Sequence, residues 1–85
     1  MPLTNTTVKQ AWPKGKPYKL ADSAGLHLLV HPNGSRYWRF KYRFAGKEKT
    51  LALGVYPEVS LARARTARDQ ARLNLSNQVD PAEIK

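Results

Sequence analysis

Tyr37-Trp38-Arg39-Phe40-Lys41-Tyr42-Arg43-Phe44 alternates without a break between two kinds of side chain. The even positions, Trp38, Phe40, Tyr42 and Phe44, are all aromatic, and the odd positions are Tyr37, Arg39, Lys41 and Arg43. Successive side chains of a strand point to opposite faces, so a strand here has one aromatic face and one cationic face. Rings of this size bury a large apolar area and are expected to form the core of a small sheet. The cationic face needs a different explanation. Like charges lined up on one face of an antiparallel pair repel, and a merely solvated face mixes Thr, Ser and Glu with Lys. Three cations with no acid among them point to a polyanionic partner.

Working outward, Pro32-Asn33-Gly34-Ser35 has the residue types of a hairpin turn, and Leu26-His27-Leu28-Leu29-Val30-His31 before it reads as a strand with Leu29 as its one flaw in period. Asp22-Ser23-Ala24-Gly25 is a turn that opens that strand. On the other side, Ala45-Gly46 turns the chain into Lys47–Leu53, a third strand with Leu51 and Leu53 inward and Glu48, Thr50 and Ala52 outward. Small residues at 50 and 52 leave the long cations of the central strand unobstructed. Gly54-Val55-Tyr56-Pro57 is expected to break the strand.

Ser60 is a suitable N-cap for a helix from Leu61 to about Asn77. Its apolar stripe, Leu61, Ala64, Ala67, Ala71 and Leu75, is narrow and rich in alanine, which lets the helix sit close on a sheet carrying four bulky rings. Arg65, Arg68 and Arg72 border that stripe with a mainly structural role expected, and Asp69 lies within reach of Arg65 and Arg72 along the helix. At the start of the chain, Thr4 caps one or two helical turns that use Val8 and Ala11 and stop at Trp12-Pro13. Lys14, Lys16 and Lys19, with two prolines in five residues, form an extended basic arm. The reading is one domain over residues 1–85: an N-terminal segment and arm (1–20), a three-stranded sheet (21–54), a helix (60–77) and the start of a linker (78–85). The fold class is α+β.

Composition narrows the function. Eighty-five residues allow one small core, and 41% apolar with 25% charged residues is ordinary for a folded chain. Fifteen Lys and Arg against six Asp and Glu give a net charge of +9, which attracts polyanions. Without cysteine there is neither a disulfide framework nor a thiolate metal site. No apolar run approaches the roughly 20 residues that cross a bilayer, and the start lacks the pattern of a signal peptide; no membrane partner is expected. His27 and His31 lie about 13 Å apart if both are on one strand, too far to share a metal, and no nucleophile, base and acid assemble into a catalytic set. No P-loop, GxGxxG or HExxH is present. The expectation is a non-catalytic chain with no cofactor and no metal.

Four segments carry a family likeness: Asp22–Val30; Gly34-Ser35-Arg36-Tyr37-Trp38-Arg39-Phe40-Lys41-Tyr42-Arg43; Gly46–Lys49; and Leu53-Gly54-Val55-Tyr56-Pro57-Glu58-Val59-Ser60-Leu61-Ala62-Arg63-Ala64-Arg65. Together they resemble the N-terminal arm-binding domain of phage integrases. The type is that of P4-like integrases of prophages and genomic islands, which are tyrosine recombinases. The resemblance implies a three-stranded sheet backed by a helix that binds arm-type sites on double-stranded DNA during integration and excision, with the sheet in the major groove. It implies action in the bacterial cytoplasm, at the nucleoid. Its catalytic residues belong to a C-terminal domain, so the chain is expected to be a fragment followed by core-binding and catalytic domains. Neighbouring integrase protomers, a DNA-bending protein and an excision factor are the implied partners. Two positions depart from the family pattern: Arg63 stands where an acid is usual, and Gln78 where a glycine is usual near the helix end.

The resemblance assigns the cationic face to DNA. His27, Tyr37, Arg39, Lys41, Arg43 and Thr50 face base edges and phosphates, and Arg36 and Lys47 stand at the sheet ends. For the arm two readings stay open, phosphate contacts from Lys14, Lys16 and Lys19 or a solvated linker. Two alternatives stay open: a basic RNA-binding module, and a protein-interaction module using the helix surface around Arg63, Thr66 and Leu73.

Overall fold

The computed structural model describes residues 3–83. Met1 and Pro2, and Ile84 and Lys85 at the end of the segment read as linker, lie outside the described residues. A short helix α1 (Asn5–Lys9) leads into four strands, β1 (Tyr18–Ala21), β2 (Leu26–Val30), β3 (Arg36–Phe44) and β4 (Lys47–Tyr56), followed by helix α2 (Leu61–Ser76) and a 3-10 turn at Pro81–Glu83. The strands form one antiparallel meander in the order β1-β2-β3-β4.

The sheet therefore has four strands where the sequence reading gave three. The last residues of the expected basic arm pair with β2, Tyr18 against Val30 and Leu20 against Leu28. Tyr18 and Leu20 alternate with Lys19 and reach the core, which supplies the apolar face that a strand needs. Pro13 and Pro17 precede the ladder, where no N–H is required of them. A four-residue strand has too few alternations to announce itself beside two prolines.

A second correction concerns Gly54. The strand does not break there but continues to Tyr56 through an irregularity opposite Trp38 and Arg39. Gly54 has φ +135°, and a Cβ placed on it would lie 2.4 Å from Cγ2 of Val59. Glycine at this point admits both the backbone angle and the close approach of the segment that enters α2. The approach matters because the indole Nε1 of Trp38, fully buried beneath the helix, donates to the Val59 carbonyl at 2.7 Å.

The aromatic face of β3 is core, as its alternation requires: Trp38, Phe40 and Tyr42 are buried, and Phe44 is partly so. Helix α2 lays Leu61, Ala64 and Ala71 on this layer. Ala67 is only half-buried, and the position beside it, Arg68, is buried instead. Arg68 can enter because its stem is apolar and its head is satisfied, donating to Asp22, to the Ser23 carbonyl and to Asp69. Asp69 thus pairs with Arg68, rather than with Arg65 or Arg72. Caps form where the sequence places them: Thr4 accepts from the Thr7 amide and Ser60 from the Arg63 amide.

Two buried carboxylates tie the ends of the chain to the sheet. Asp22, in the β1–β2 turn, accepts from the Leu3 amide at 2.7 Å, from Arg65 at 2.9 and 3.1 Å and from Arg68 at 3.3 Å. Asp80 accepts from the Tyr42 hydroxyl at 2.6 Å and pairs with Lys49. Asp80 and Pro81 are buried, so the segment after α2 packs on the sheet up to the 3-10 turn.

Candidate nucleic-acid interface

With the rings turned toward α2, the other face of the sheet is open. Register places Arg39 between His27 of β2 and Ala52 of β4, Lys41 opposite Thr50, and Arg43 opposite Glu48. Tyr37 sits between Leu29 and Val55. Strand β1 adds Lys19 and Ala21 beyond Leu29 and His27. The face is a cationic band of Lys19, Arg39, Lys41 and Arg43. At the β2–β3 turn it grades into a less polar patch of Leu29, Tyr37 and Val55.

Local contacts hold several of these groups in place. The Tyr37 ring meets His31 edge-on at 5.1 Å, and the Arg39 guanidinium lies 5.8 Å from the Tyr37 ring centroid, within the range of cation–π attraction. Arg39 Nε is buried without a hydrogen-bond partner. Lys41 lies 3.6 Å from Glu48 with both side chains well exposed, a pair that contributes little and yields readily. His27 is pushed below its ordinary pKa of 6.5, first by burial and then by the charges of Lys19, Arg39 and Lys41 around it, against a backbone hydrogen bond at Gly25 that acts the other way. Its imidazole is therefore neutral in the free protein at pH 7.

Not every expected contact residue lies on this face. Arg36 projects to the other side, where its guanidinium donates to the carbonyls of Val8 and Lys9 at the end of α1 and covers the Tyr56 ring at 4.7 Å. Lys47 alternates with Lys49 and Leu51 on the helix side of β4, exposed at the sheet end. Lys14 lies over the ring of Tyr18 at 4.6 Å, and Lys16 is exposed. The sequence reading missed Leu29 and Val55 as parts of the outer face, and it placed Lys19 on the arm. The flaw in the β2 period was the available signal for Leu29. For Val55 there was none, because the irregularity near Gly54 shifts its side.

Among the described residues there is no group of three His, Cys, Asp or Glu placed to hold a metal ion, and no helix is long and apolar enough to cross a membrane. What this face offers chemically is guanidinium and ammonium donors, one neutral imidazole, the hydroxyls of Tyr37 and Thr50 and the Glu48 carboxylate on a shallow, twisted surface. That is the equipment of a module for binding an extended polyanion.

Comparison with known proteins gives this class a family. Residues 3–85 match the family described as "Arm DNA-binding domain", and the chain belongs to it. It is 47% identical over 87 residues to the integrase of Enterobacteria phage P4, with all of this chain and 20% of that protein covered. It is 48% identical over 84 residues to prophage integrase IntZ of Escherichia coli K12, covering 96% of the chain and 21% of the relative. Putative protein IntB of the same strain is 65% identical over 60 residues, 71% of the chain and 15% of that protein. The chain thus spans about a fifth of the length of its curated relatives. It is a DNA-binding domain of integrase type, and the domain is non-catalytic.

Proposed function

We propose that this domain binds arm-type sites on double-stranded DNA for a site-specific tyrosine recombinase, in the integration or excision of a prophage or genomic island. The outer face of the sheet enters the major groove. The observation that carries this reading is the cationic band on a face whose rings are all turned away except Tyr37. Adjacent strands lie about 4.8 Å apart, so the side-chain rows of β2, β3 and β4 span about 10 Å, which suits a groove about 12 Å wide. Strand β1 then rides at the groove edge, and Lys19 meets a phosphate there. Catalysis and the remaining partners belong to the rest of the recombinase, acting where bacterial DNA is, in the cytoplasm. A platform for single-stranded RNA requires several exposed rings, and here Trp38, Phe40 and Tyr42 are buried.

The test is a titration against duplex arm-site repeats, with scrambled duplex and single-stranded RNA as competitors. A preference of about 10²-fold or more for the repeats is expected, and equal binding of all three would overturn the reading. If about four to six phosphates are neutralised, log K falls against log salt with a slope near −4 to −5. Replacing Arg39, Lys41 and Arg43 together with Gln should abolish most of the affinity and leave the circular dichroism spectrum unchanged. Undiminished binding by that folded variant would remove the sheet face from the interface.

A further inference from the structure

We propose that Arg39 is the specificity-determining residue of the outer face, taking the edge of a guanine, while Lys41 and Arg43 hold phosphates. The inference rests on the reading of this face as the DNA-binding surface and assigns different tasks to three cations of the same strand.

Arg39 differs from its neighbours in three observed respects. It occupies the centre of the sheet, with a strand on each side, and its register partner on β4 is Ala52, with Ala21 beyond His27 on β1. Small side chains at those positions leave room for a base edge to approach. Its stem is held: the residue is half-buried, Nε is covered, and the guanidinium rests beside the Tyr37 ring. Among the described residues its guanidinium forms no hydrogen bond or ion pair. With Nε covered, the donors left for a ligand are those of Nη1 and Nη2, which form the flat two-pronged fork that matches guanine O6 and N7 in the major groove. A fixed fork selects one base geometry, whereas a mobile cation attracts charge of any geometry.

Lys41 and Arg43 are of the second kind. Both are exposed, Lys41 is shared with Glu48, and Arg43 faces the same carboxylate across the strands beside the β3–β4 turn. A phosphate displaces so weak a surface partner easily, and a backbone contact asks for charge rather than a shaped donor pair.

The experiment selects duplexes from a library with a randomised central segment, using the 85-residue chain and its Arg39→Ala, Arg39→Lys, Lys41→Ala and Arg43→Ala variants. Affinities for the enriched duplex and for a scrambled one are then measured at two salt concentrations. The wild type should enrich a motif with an invariant guanine. Arg39→Ala should open that one position, keep the rest of the motif, and lower affinity for the enriched duplex by about tenfold to a hundredfold with little change for the scrambled one. Arg39→Lys keeps the charge without the fork and should lose the same guanine. Lys41→Ala and Arg43→Ala should keep the motif, weaken both duplexes alike, and each reduce the salt slope by about one. Retention of the full motif by Arg39→Ala or Arg39→Lys overturns the assignment and leaves DNA binding by the face intact. Failure of the wild type to retain duplex DNA overturns the parent reading and this one together.

Discussion

Among the described residues, Asp22 takes part in more long-range side-chain hydrogen bonds than any other. Its carboxylate is fully covered and accepts from Leu3, Arg65 and Arg68, joining the N-terminal segment, the first turn of the sheet and the helix. Removing one partner of a covered ion pair strands the others. Asp22→Ala should therefore destabilise the fold by about 3 kcal/mol, read as a lowered urea midpoint with unchanged slope; a shift under about 1 kcal/mol would show that water replaces the carboxylate. Gln78 offers the opposite change. It sits just past the helix with φ +59°, and the amides of Gln78 and Val79 close back on the carbonyls of Leu75 and Asn74, a helix stop that normally uses glycine at this position. Gln78→Gly relieves about 1–2 kcal/mol of left-handed strain and adds about 0.4–1 kcal/mol of unfolded-state freedom. The net gain should be roughly 0.5–1 kcal/mol, and a lowered thermal midpoint would contradict it.

At the scale of elements, what the sequence made legible was what local periodicity encodes. The alternation in β3 separated core rings from exposed cations, and the Ser60 cap together with the alanine stripe marked α2. Both are properties of neighbours along the chain. Three features escaped. Strand β1 is recognised as a strand only by its pairing with β2. The Asp22 cluster joins residues 43 and 46 positions apart, and no spacing rule pairs them. The β4 irregularity turns Val55 outward through contacts between β3 and the segment before α2. The last of these is testable: Gly54→Ala places a methyl group against Val59, forcing Val59 away and stretching the Trp38–Val59 hydrogen bond. A cost of about 2 kcal/mol or more is expected, with altered near-ultraviolet circular dichroism from Trp38. A neutral outcome would mean that the approach at Gly54 relaxes without disturbing the core.

Across the whole molecule, charge and fold are linked through pH. The Asp22 carboxyl is held below its usual range, chiefly by its hydrogen bond from Arg65, and Asp80 is held at about 2 by Lys49 and Tyr42. A carboxylate depressed in the folded state stabilises above its unfolded pKa near 3.8 and loses that contribution as pH falls through the folded value. His27 is also depressed, and for a base this means that the fold excludes a proton which the unfolded chain accepts below about 6.5. All three groups thus favour unfolding on acidification: a small loss below pH 6.5, then a larger one between about 4 and 2. DNA reverses the sign at His27 alone. A phosphate brought within about 6 Å contributes about 3 kcal/mol toward the imidazolium at an effective dielectric of 20, enough to outweigh the further burial that docking imposes. Phosphates also neutralise Lys19, Arg39 and Lys41, which oppose the proton in the free protein. Binding should then take up a proton, and affinity for duplex DNA should rise about threefold to tenfold from pH 7.5 to 5.5 at constant salt. The rise should vanish in His27→Gln, which keeps a neutral polar group in place. A wild-type affinity independent of pH over that window would mean that His27 stays neutral in the complex, acting as a hydrogen-bonding group to a base edge rather than as a fifth cation on the face.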